Sequence, residues 1–198
     1  MTQSIRRIWQ GTFSANSFIL LSGVISGVLV ARLLEPEGRG LLAAILFWPH
    51  FVAGTASFGL NEAITIKTAQ YSGEKMRSTA FWLSISLPAI VGLVLYPFIP
   101  SLIGSERAAF HSFTQYYFLL FVPVTFIAMN LLAVDHGEMN FNRYNILRIL
   151  QAVIYPLALA GLWFFDKVTV EYAAFAVIGG TIITTSIRII LANSALLH

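Results

Sequence analysis

The side chains best placed to do chemistry in this chain are polar residues inside long apolar runs. Glu62 lies near the end of one such run, with Asn61 beside it and Lys67 five residues further on. A carboxylate at membrane depth is costly, so its presence suggests a proton relay or a cation site that faces a water-filled cavity. An acid at the membrane interface that pairs with Lys67 or another cation explains the same residue equally well. Both interpretations of Glu62 stay open.

Uncharged polar residues inside the runs form a second group of candidates. Asn16 in the first run and Asn130 in the fourth could line a cavity, although hydrogen bonding between helices is the commoner role of such amides. Gly23 and Gly27 form a G-x-x-x-G motif. Because small residues let two helices approach closely, this motif predicts that the first run packs tightly against a neighbour.

Arginines supply the chemistry for binding phosphate, because the planar guanidinium group matches phosphate oxygens bidentately. Arg143 and Arg148 flank the start of the fifth run and could hold a phosphate or pyrophosphate head group. The excess of basic residues on the cytoplasmic side of membrane proteins explains the same pair without any ligand. Arg32 and Arg188 lie near run ends, where a long side chain can snorkel to the interface.

The composition indicates whether water or lipid surrounds this chain. Of its 198 residues, 57% are hydrophobic and 11% are charged, whereas soluble domains are about 25% charged. This composition indicates an integral membrane protein and excludes disordered, collagen-like, disulfide-rich and soluble-enzyme classes. The net charge of +3 is spread between apolar runs and forms no basic cluster, so we expect no nucleic-acid partner.

Six apolar runs are long enough to cross a bilayer core of about 30 Å as helices. Their predicted bounds are 13–34, 41–66, 78–103, 113–134, 146–165 and 172–192. The runs are continuous rather than alternating, which favours an all-α polytopic membrane protein over a β-barrel. We expect residues 1–198 to form a single six-helix lobe, with residues 1–12 as an amphipathic segment along the inner interface.

The positions of the basic residues predict the orientation. With both termini in the cytoplasm, only Arg32, Arg39, Arg107 and Lys167 of the 12 Lys and Arg residues fall on the outer side. This asymmetry favours cytoplasmic termini. The first run is of full spanning length and precedes no small-residue cleavage site, so we expect it to stay in the membrane rather than act as a signal peptide.

No constellation of residues predicts an enzyme. The only cluster of histidine with carboxylates is Asp135, His136 and Glu138, which lacks the paired histidines of a zinc-protease motif. The sequence contains no nucleophile elbow, P-loop or dinucleotide fingerprint. We therefore expect no catalytic residues, no metal site and no cofactor.

Three short motifs lie at the predicted helix ends. Residues 31–40 read A-R-L-L-E-P-E-G-R-G and residues 59–63 read G-L-N-E-A, while Gly137, Phe141, Asn145 and Arg148 surround the start of the fifth run. Together they resemble the A-R-x-L-x-P-x-x-x-G turn, the G-L-x-x-A motif and the loop between helices four and five of the polysaccharide flippases. These flippases belong to the multidrug/oligosaccharidyl-lipid/polysaccharide exporter superfamily. The resemblance covers essentially the whole chain.

The resemblance implies export of a lipid-linked oligosaccharide across the bacterial inner membrane by alternating access, for O-antigen, capsule or exopolysaccharide. It implies coupling to a proton or sodium gradient, and cationic side chains that hold the pyrophosphate of a polyprenyl carrier. Arg32 matches the first motif and Arg148 the start of the fifth helix, so both join Arg143 as head-group candidates. Glu62 stands where the family motif is variable, so its coupling role rests on its chemistry alone.

Family members pair two six-helix lobes around a central cavity, and this chain resembles the N-terminal lobe. We therefore expect a truncated or split gene product that needs a second lobe, or a homodimer in which a second copy replaces it. The alternative is a non-transporting membrane subunit, or an inactive remnant, that binds lipid or another membrane protein. A second six-span reading frame immediately downstream would favour export.

Overall fold

The computed structural model describes residues 5–71 and 73–194. These residues form helices and connecting turns without a strand, which confirms the all-α prediction. The α-helices are α1 (Ile5–Leu33), α2 (Glu35–Thr55), α3 (Leu60–Gln70), α4 (Gly73–Leu95), α5 (Ile99–Ile103), α6 (His111–Gly137), α7 (Phe141–Phe164) and α8 (Val170–Ser194). Two short 3₁₀ segments, Tyr96–Phe98 and Ser105–Phe110, connect α4 to α5 and α5 to α6.

Most of the helical length is apolar enough to cross a membrane. Within the described ranges, five single stretches qualify: Ile8–Leu33, Met76–Ile103, Arg107–Gly137, Phe141–Phe164 and Val170–Leu191. The pair α2 and α3 gives a sixth span if it is taken together, although the two helices are bent by 46°. The protein is therefore a multi-pass membrane protein that contacts the lipid bilayer, with the predicted number of spans when the bent pair counts as one.

The second span differs from its predicted course because it is broken. The sequence predicts one helix over 41–66, whereas α2 ends at Thr55 and α3 begins at Leu60. Phe58 has φ of 41° and Gly59 has φ of 76°, which is left-handed backbone that a right-handed helix cannot pass through. Glycine adopts this conformation without a steric penalty. As a result, Glu62 lies in the first turn of α3 rather than deep in a continuous helix.

Two further boundaries differ from the predicted ones. Residues 5–12 are the first turns of α1 rather than a separate helix, and residues 1–4 of the predicted segment lie outside the described residues, so its position along the interface stays a prediction. The fourth span was expected to end at residue 134, but α6 continues to Gly137. Asp135 and His136 are therefore helical residues, and the ion pairs of Asp135 described below explain why a charged residue is tolerated there.

Helix α6 is the centre of the lobe. Its apolar window is 56% buried, compared with 17 to 39% in the other four single spans. Tyr117 and Phe121 of α6 pack with Ile45 of α2, Leu159 of α7 and Ile178 of α8. Helix α1 lies along α7, and α3 and α4 cover the other side of α6. This arrangement leaves grooves where α7 faces the broken second span.

Candidate functional site

The first groove lies between α3, α6 and α7 and has a volume of about 420 Å³. We call it the α3–α6–α7 groove. Its polar lining comes from Asn61, Glu62 and Thr65 of α3, His136 of α6 and Tyr144 of α7. The rest of its lining is apolar and includes Met129 and Ala133. The groove therefore brings a carboxylate, an amide, an imidazole and a phenol into one membrane-embedded space.

Glu62 enters this groove from the first turn of α3. Its Oε2 atom lies 3.8 Å from the position that a Cβ on Gly59 would occupy, so the carboxylate folds back toward the start of its own helix. The positive end of the helix dipole stabilises a carboxylate in that position. Lys67 lies instead 5.4 Å from the ring centre of Tyr71, and no ion pair joins it to Glu62 in the described part of the chain.

The Oδ1 atom of Asn61 is buried and has no hydrogen-bond partner among the described residues. Thr65, one turn further on, donates to the backbone oxygens of Asn61 at 2.9 Å and Ala133 at 3.2 Å. Thr65 therefore fixes α3 against α6 beside the groove. Asn61 therefore keeps a buried acceptor beside the groove that no described group satisfies.

Beside the groove, Arg148 of α7 lies against the ring of Tyr144. The guanidinium carbon of Arg148 lies 5.0 Å from the ring centre of Tyr144, and that ring lies 5.3 Å from the His136 ring. A contact with the face of a ring leaves the in-plane N–H groups of the guanidinium free. No carboxylate pairs with Arg148 in residues 5–71 and 73–194. Arg148 is thus available to an anionic ligand.

Near the groove, five charged side chains form an ion network: four come from helices α4, α6, α7 and α8, and Glu138 comes from the turn between α6 and α7. Arg188 Nε of α8 donates to Asp135 Oδ2 of α6 at 2.8 Å, and Arg143 Nε of α7 donates to Asp135 Oδ1 at 2.8 Å. Arg143 Nη2 also donates to Glu138 Oε2 at 2.8 Å, and Arg77 of α4 donates to Glu138 Oε1. The network joins the ends of α4, α6 and α7 to α8 on the side of the lobe where α7 begins.

The turn between α6 and α7 sets the orientation of Arg143. Met139 adopts φ of 56°, and Asn140 caps α7 by accepting from the backbone nitrogen of Arg143 at 3.2 Å. The turn therefore directs Arg143 back at Asp135. Because Asp135 and His136 are neighbours on α6, the same network that holds Asp135 also positions His136 in the groove.

The network corrects the interpretation of Arg188 and adds a role for Arg143. Arg188 does not snorkel: only 5% of the residue is exposed, because its guanidinium group pairs with Asp135 inside the lobe. Arg143 is engaged by Asp135 and Glu138, so its Nε and Nη2 atoms are already used as donors within the chain. Sequence reasoning missed the pair because its members are 53 positions apart. The sequence did contain one signal of the pair: Asp135 and Arg188 carry opposite charges, and each lies near the C-terminal end of an apolar run.

The remaining site candidates lie away from the α3–α6–α7 groove. Asn130 is 1% exposed and donates to Ser84 Oγ at 2.7 Å, so it joins α6 to α4 instead of lining the groove. Asn16 and Arg32 are exposed on α1. The described residues contain no group of three or more His, Asp or Glu side chains arranged to hold a metal ion.

A second groove lies between α1, α2 and α7, with a volume of about 500 Å³, and we call it the α1–α2–α7 groove. Gly23, Gly27, Arg39 and Tyr155 line it. No atom lies within 4 Å of where a Cβ on Gly23 or Gly27 would sit. The predicted tight packing at this motif is therefore absent within the described chain, because the two glycines face open space.

Five apolar spans around the central helix α6, with a polar groove between α3, α6 and α7, define a polytopic membrane protein. The sequence model of one family, described as polysaccharide biosynthesis protein, matches residues 8–196. The chain belongs to this family, whose members are transporters rather than enzymes. This confirms the resemblance stated above and places the chain in polysaccharide biosynthesis and export. Neither a curated protein nor a solved structure matches the chain.

Proposed function

We propose that this protein moves a lipid-linked oligosaccharide, a precursor of cell-surface polysaccharide, across the bacterial inner membrane. The observation that carries the proposal is the family match over residues 8–196. The mixed polar lining of the α3–α6–α7 groove supports it, since a sugar offers many hydroxyl groups to carboxylate, amide and imidazole side chains. No step of this function requires the protein to make or break a covalent bond.

Arg148 is the first choice for binding the diphosphate of the carrier. It lies against Tyr144 at the edge of the groove and keeps its N–H groups free, whereas Arg143 donates to two carboxylates of the chain. Arg143 therefore acts as a positioning residue in this proposal. Arg32 is exposed on the last turn of α1 and would meet a head group only at the other end of the lobe.

Glu62 is the first choice for coupling transport to a proton or sodium gradient. It is an ionisable group in the groove, and it follows a break in a spanning helix, which is where transporters commonly place ion sites. Asn61 adds an unpartnered oxygen beside it. Lys67 and Asn16 are exposed and have no contact with this groove that would favour them.

The proposed orientation places both termini in the cytoplasm, so the α3–α6–α7 groove lies on the cytoplasmic half of the lobe. The proposed working unit pairs this lobe with a second six-helix lobe or with a second copy of the chain. Two copies in the same orientation would be related by a two-fold axis along the membrane normal.

Complementation tests the proposal. A strain that lacks its own polysaccharide flippase receives the chain alone, the chain with a candidate second lobe, or an empty vector, and surface polysaccharide is measured. We expect surface polysaccharide to return with the chain and its partner lobe. Absence of rescue in every combination, although the protein is present in the membrane, would contradict transport and would favour a non-transporting membrane subunit.

A further inference from the structure

The α1–α2–α7 groove has an apolar wall built around two glycines. Gly23 and Gly27 of α1 lie opposite Leu42 and Leu46 of α2, and Tyr155 of α7 closes one side. The missing side chains leave a channel along α1, because nothing within the described residues fills the space beside either glycine. A channel of this shape can accept an extended hydrocarbon chain.

The serine hydroxyls on this side of α1 are already hydrogen-bonded inside the protein. Ser26 Oγ donates to the backbone oxygen of Ser22 at 2.8 Å, and Ser22 Oγ donates to the backbone oxygen of Ala152 at 2.6 Å. Apart from the hydroxyl of Tyr155 and the side chain of Arg39, the wall therefore offers mainly hydrocarbon contacts. An apolar ligand therefore breaks no hydrogen bond of these serines when it enters the groove in place of lipid or water.

Arg39 is the charged residue in the lining of this groove. It is exposed, and it makes no ion pair in the described ranges, although Glu35 lies one turn earlier on the same helix. A guanidinium group at the end of an apolar channel complements a lipid that has an anionic head, and phosphate oxygens match it best.

The register of α1 and α7 places Arg39 and Arg148 at opposite ends of the lobe. Asn145 donates to Thr12 at 3.3 Å and Ser22 donates to the backbone oxygen of Ala152, so α1 and α7 run side by side in the same direction. Arg148 lies one turn after Asn145, whereas the groove of Arg39 reaches Val30 near the end of α1. At 1.5 Å per helical residue, the two arginines are separated by roughly 20 Å along α1.

We infer that Arg39 and the α1–α2–α7 groove form a second lipid site, which binds the diphosphate and the isoprenoid chain of a carrier lipid at the end of the lobe opposite Arg148. This inference rests on the proposed function and adds to it a separate site for the lipid part of the substrate. Arg148 and Arg39 would then receive the diphosphate on the two sides of the membrane.

Photolabelling tests this site in the full-length chain, reconstituted in phospholipid vesicles. The probe is a farnesyl diphosphate analogue with a diazirine at the apolar end of its chain, and labelled peptides are identified by mass spectrometry. We expect labelling of α1, α2 and α7 beside Gly23 and Gly27. Unlabelled farnesyl diphosphate should compete with the probe, whereas farnesol, which lacks the diphosphate, should compete poorly.

Three variants separate the parts of the site. Gly27→Leu fills the channel and should abolish most of the labelling of α1, α2 and α7 beside Gly23 and Gly27. Arg39→Gln removes the cation and should weaken probe binding about tenfold, which corresponds to 1.4 kcal/mol. Gly161→Leu is the matched control, because Gly161 also has open space at its Cβ position but lies on α7 outside the groove lining. Each variant must elute from size-exclusion chromatography as the wild type does.

Four results would overturn the inference. The first is labelling of Gly27→Leu at the wild-type level, and the second is competition by farnesol equal to that by farnesyl diphosphate. The third is labelling that is spread evenly over all lipid-facing helices. The fourth is a disulfide between two chains that carry Gly27→Cys, since this would mean that a second copy occupies the groove. The complementation assay keeps the two proposals apart. Restored export in Arg39→Gln and Gly27→Leu would overturn this lipid site alone, whereas failure of the wild type would count against transport itself.

Discussion

Arg188 of α8 and Asp135 of α6 form a hydrogen-bonded ion pair in the interior of the lobe, with Nε and Oδ2 separated by 2.8 Å. The two residues are 5% and 1% exposed. The other oxygen of Asp135 accepts from Arg143 of α7, so one carboxylate holds three helices together. An unpaired charge at this place would be costly, since water cannot reach it.

Loss of one partner of this pair should destabilise the protein strongly. We expect Arg188→Leu to lower the free energy of unfolding by about 3–5 kcal/mol, because Asp135 keeps its charge and loses a partner. Unfolding in mixed detergent micelles measures the change. Asp166→Asn, in an exposed turn after α7, is the control and should leave the stability unchanged. An Arg188→Leu protein as stable as wild type would contradict the structural role of the pair.

The crossing of α3 over α6 depends on a glycine. A Cβ on Gly137 would lie 2.5 Å from the backbone oxygen of Thr65 and 2.6 Å from Cβ of Thr68, so a side chain has no room there. We expect Gly137→Ala to destabilise the protein by about 1–3 kcal/mol. Gly161→Ala, where the Cβ meets open space, should instead stabilise α7 by up to about 1 kcal/mol. Thermal unfolding in detergent should therefore shift in opposite directions, and a shift of the same sign would contradict the close approach.

Hydropathy predicted the spans well, because every helix that crosses the lipid must be apolar over its whole spanning length. The break in the second span was not predicted. Pro49, Pro88, Pro123 and Pro156 all lie inside helices, whereas the chain breaks at Phe58 and Gly59. Whether a membrane helix bends depends on the neighbours that satisfy its freed backbone groups, and one sequence does not show these neighbours.

Arg143 and Arg148 should separate stability from substrate binding. Arg143→Gln removes a partner from two carboxylates, so we expect a loss of thermal stability similar to that of Arg188→Leu. Arg148→Gln should leave stability nearly unchanged and weaken binding of a diphosphate lipid about tenfold, which corresponds to 1.4 kcal/mol. Unfolding in detergent measures the first effect, and labelling of peptides from the α3–α6–α7 groove by the farnesyl diphosphate probe measures the second. Arg107→Gln, in the segment before α6, is the control for loss of a positive charge. Strong destabilisation by Arg148→Gln would contradict this division of roles.

Only part of the candidate site could be predicted from the sequence. As with the helix break, the sequence does not show which residues become neighbours in space. Glu62 and Arg148 stood out because ionisable residues are rare in apolar runs, and both lie at the α3–α6–α7 groove or its edge. The role of Asp135 was hidden, because a residue near a run end looks like a loop residue until its partners are known. Arg39 was hidden as well, since only the packing of α2 beside α1 brings it next to Gly27.

The orientation of the lobe can be tested by cysteine labelling with single introduced cysteines, because the sequence contains no native cysteine that would have to be removed first. Lys167→Cys places a thiol in the exposed turn between α7 and α8, and Gln70→Cys places one at the exposed end of α3. Five of the six spans of this chain separate Lys167 from the N-terminus, and two separate Gln70 from it, so the two thiols must face opposite sides. With cytoplasmic termini, a membrane-impermeant maleimide should label Lys167→Cys in intact cells and Gln70→Cys only after permeabilisation. The reverse pattern would place the α3–α6–α7 groove on the outer half and would contradict loading of the substrate there from the cytoplasm. Labelling of both thiols in intact cells would contradict the assignment of α2 and α3 to a single broken span.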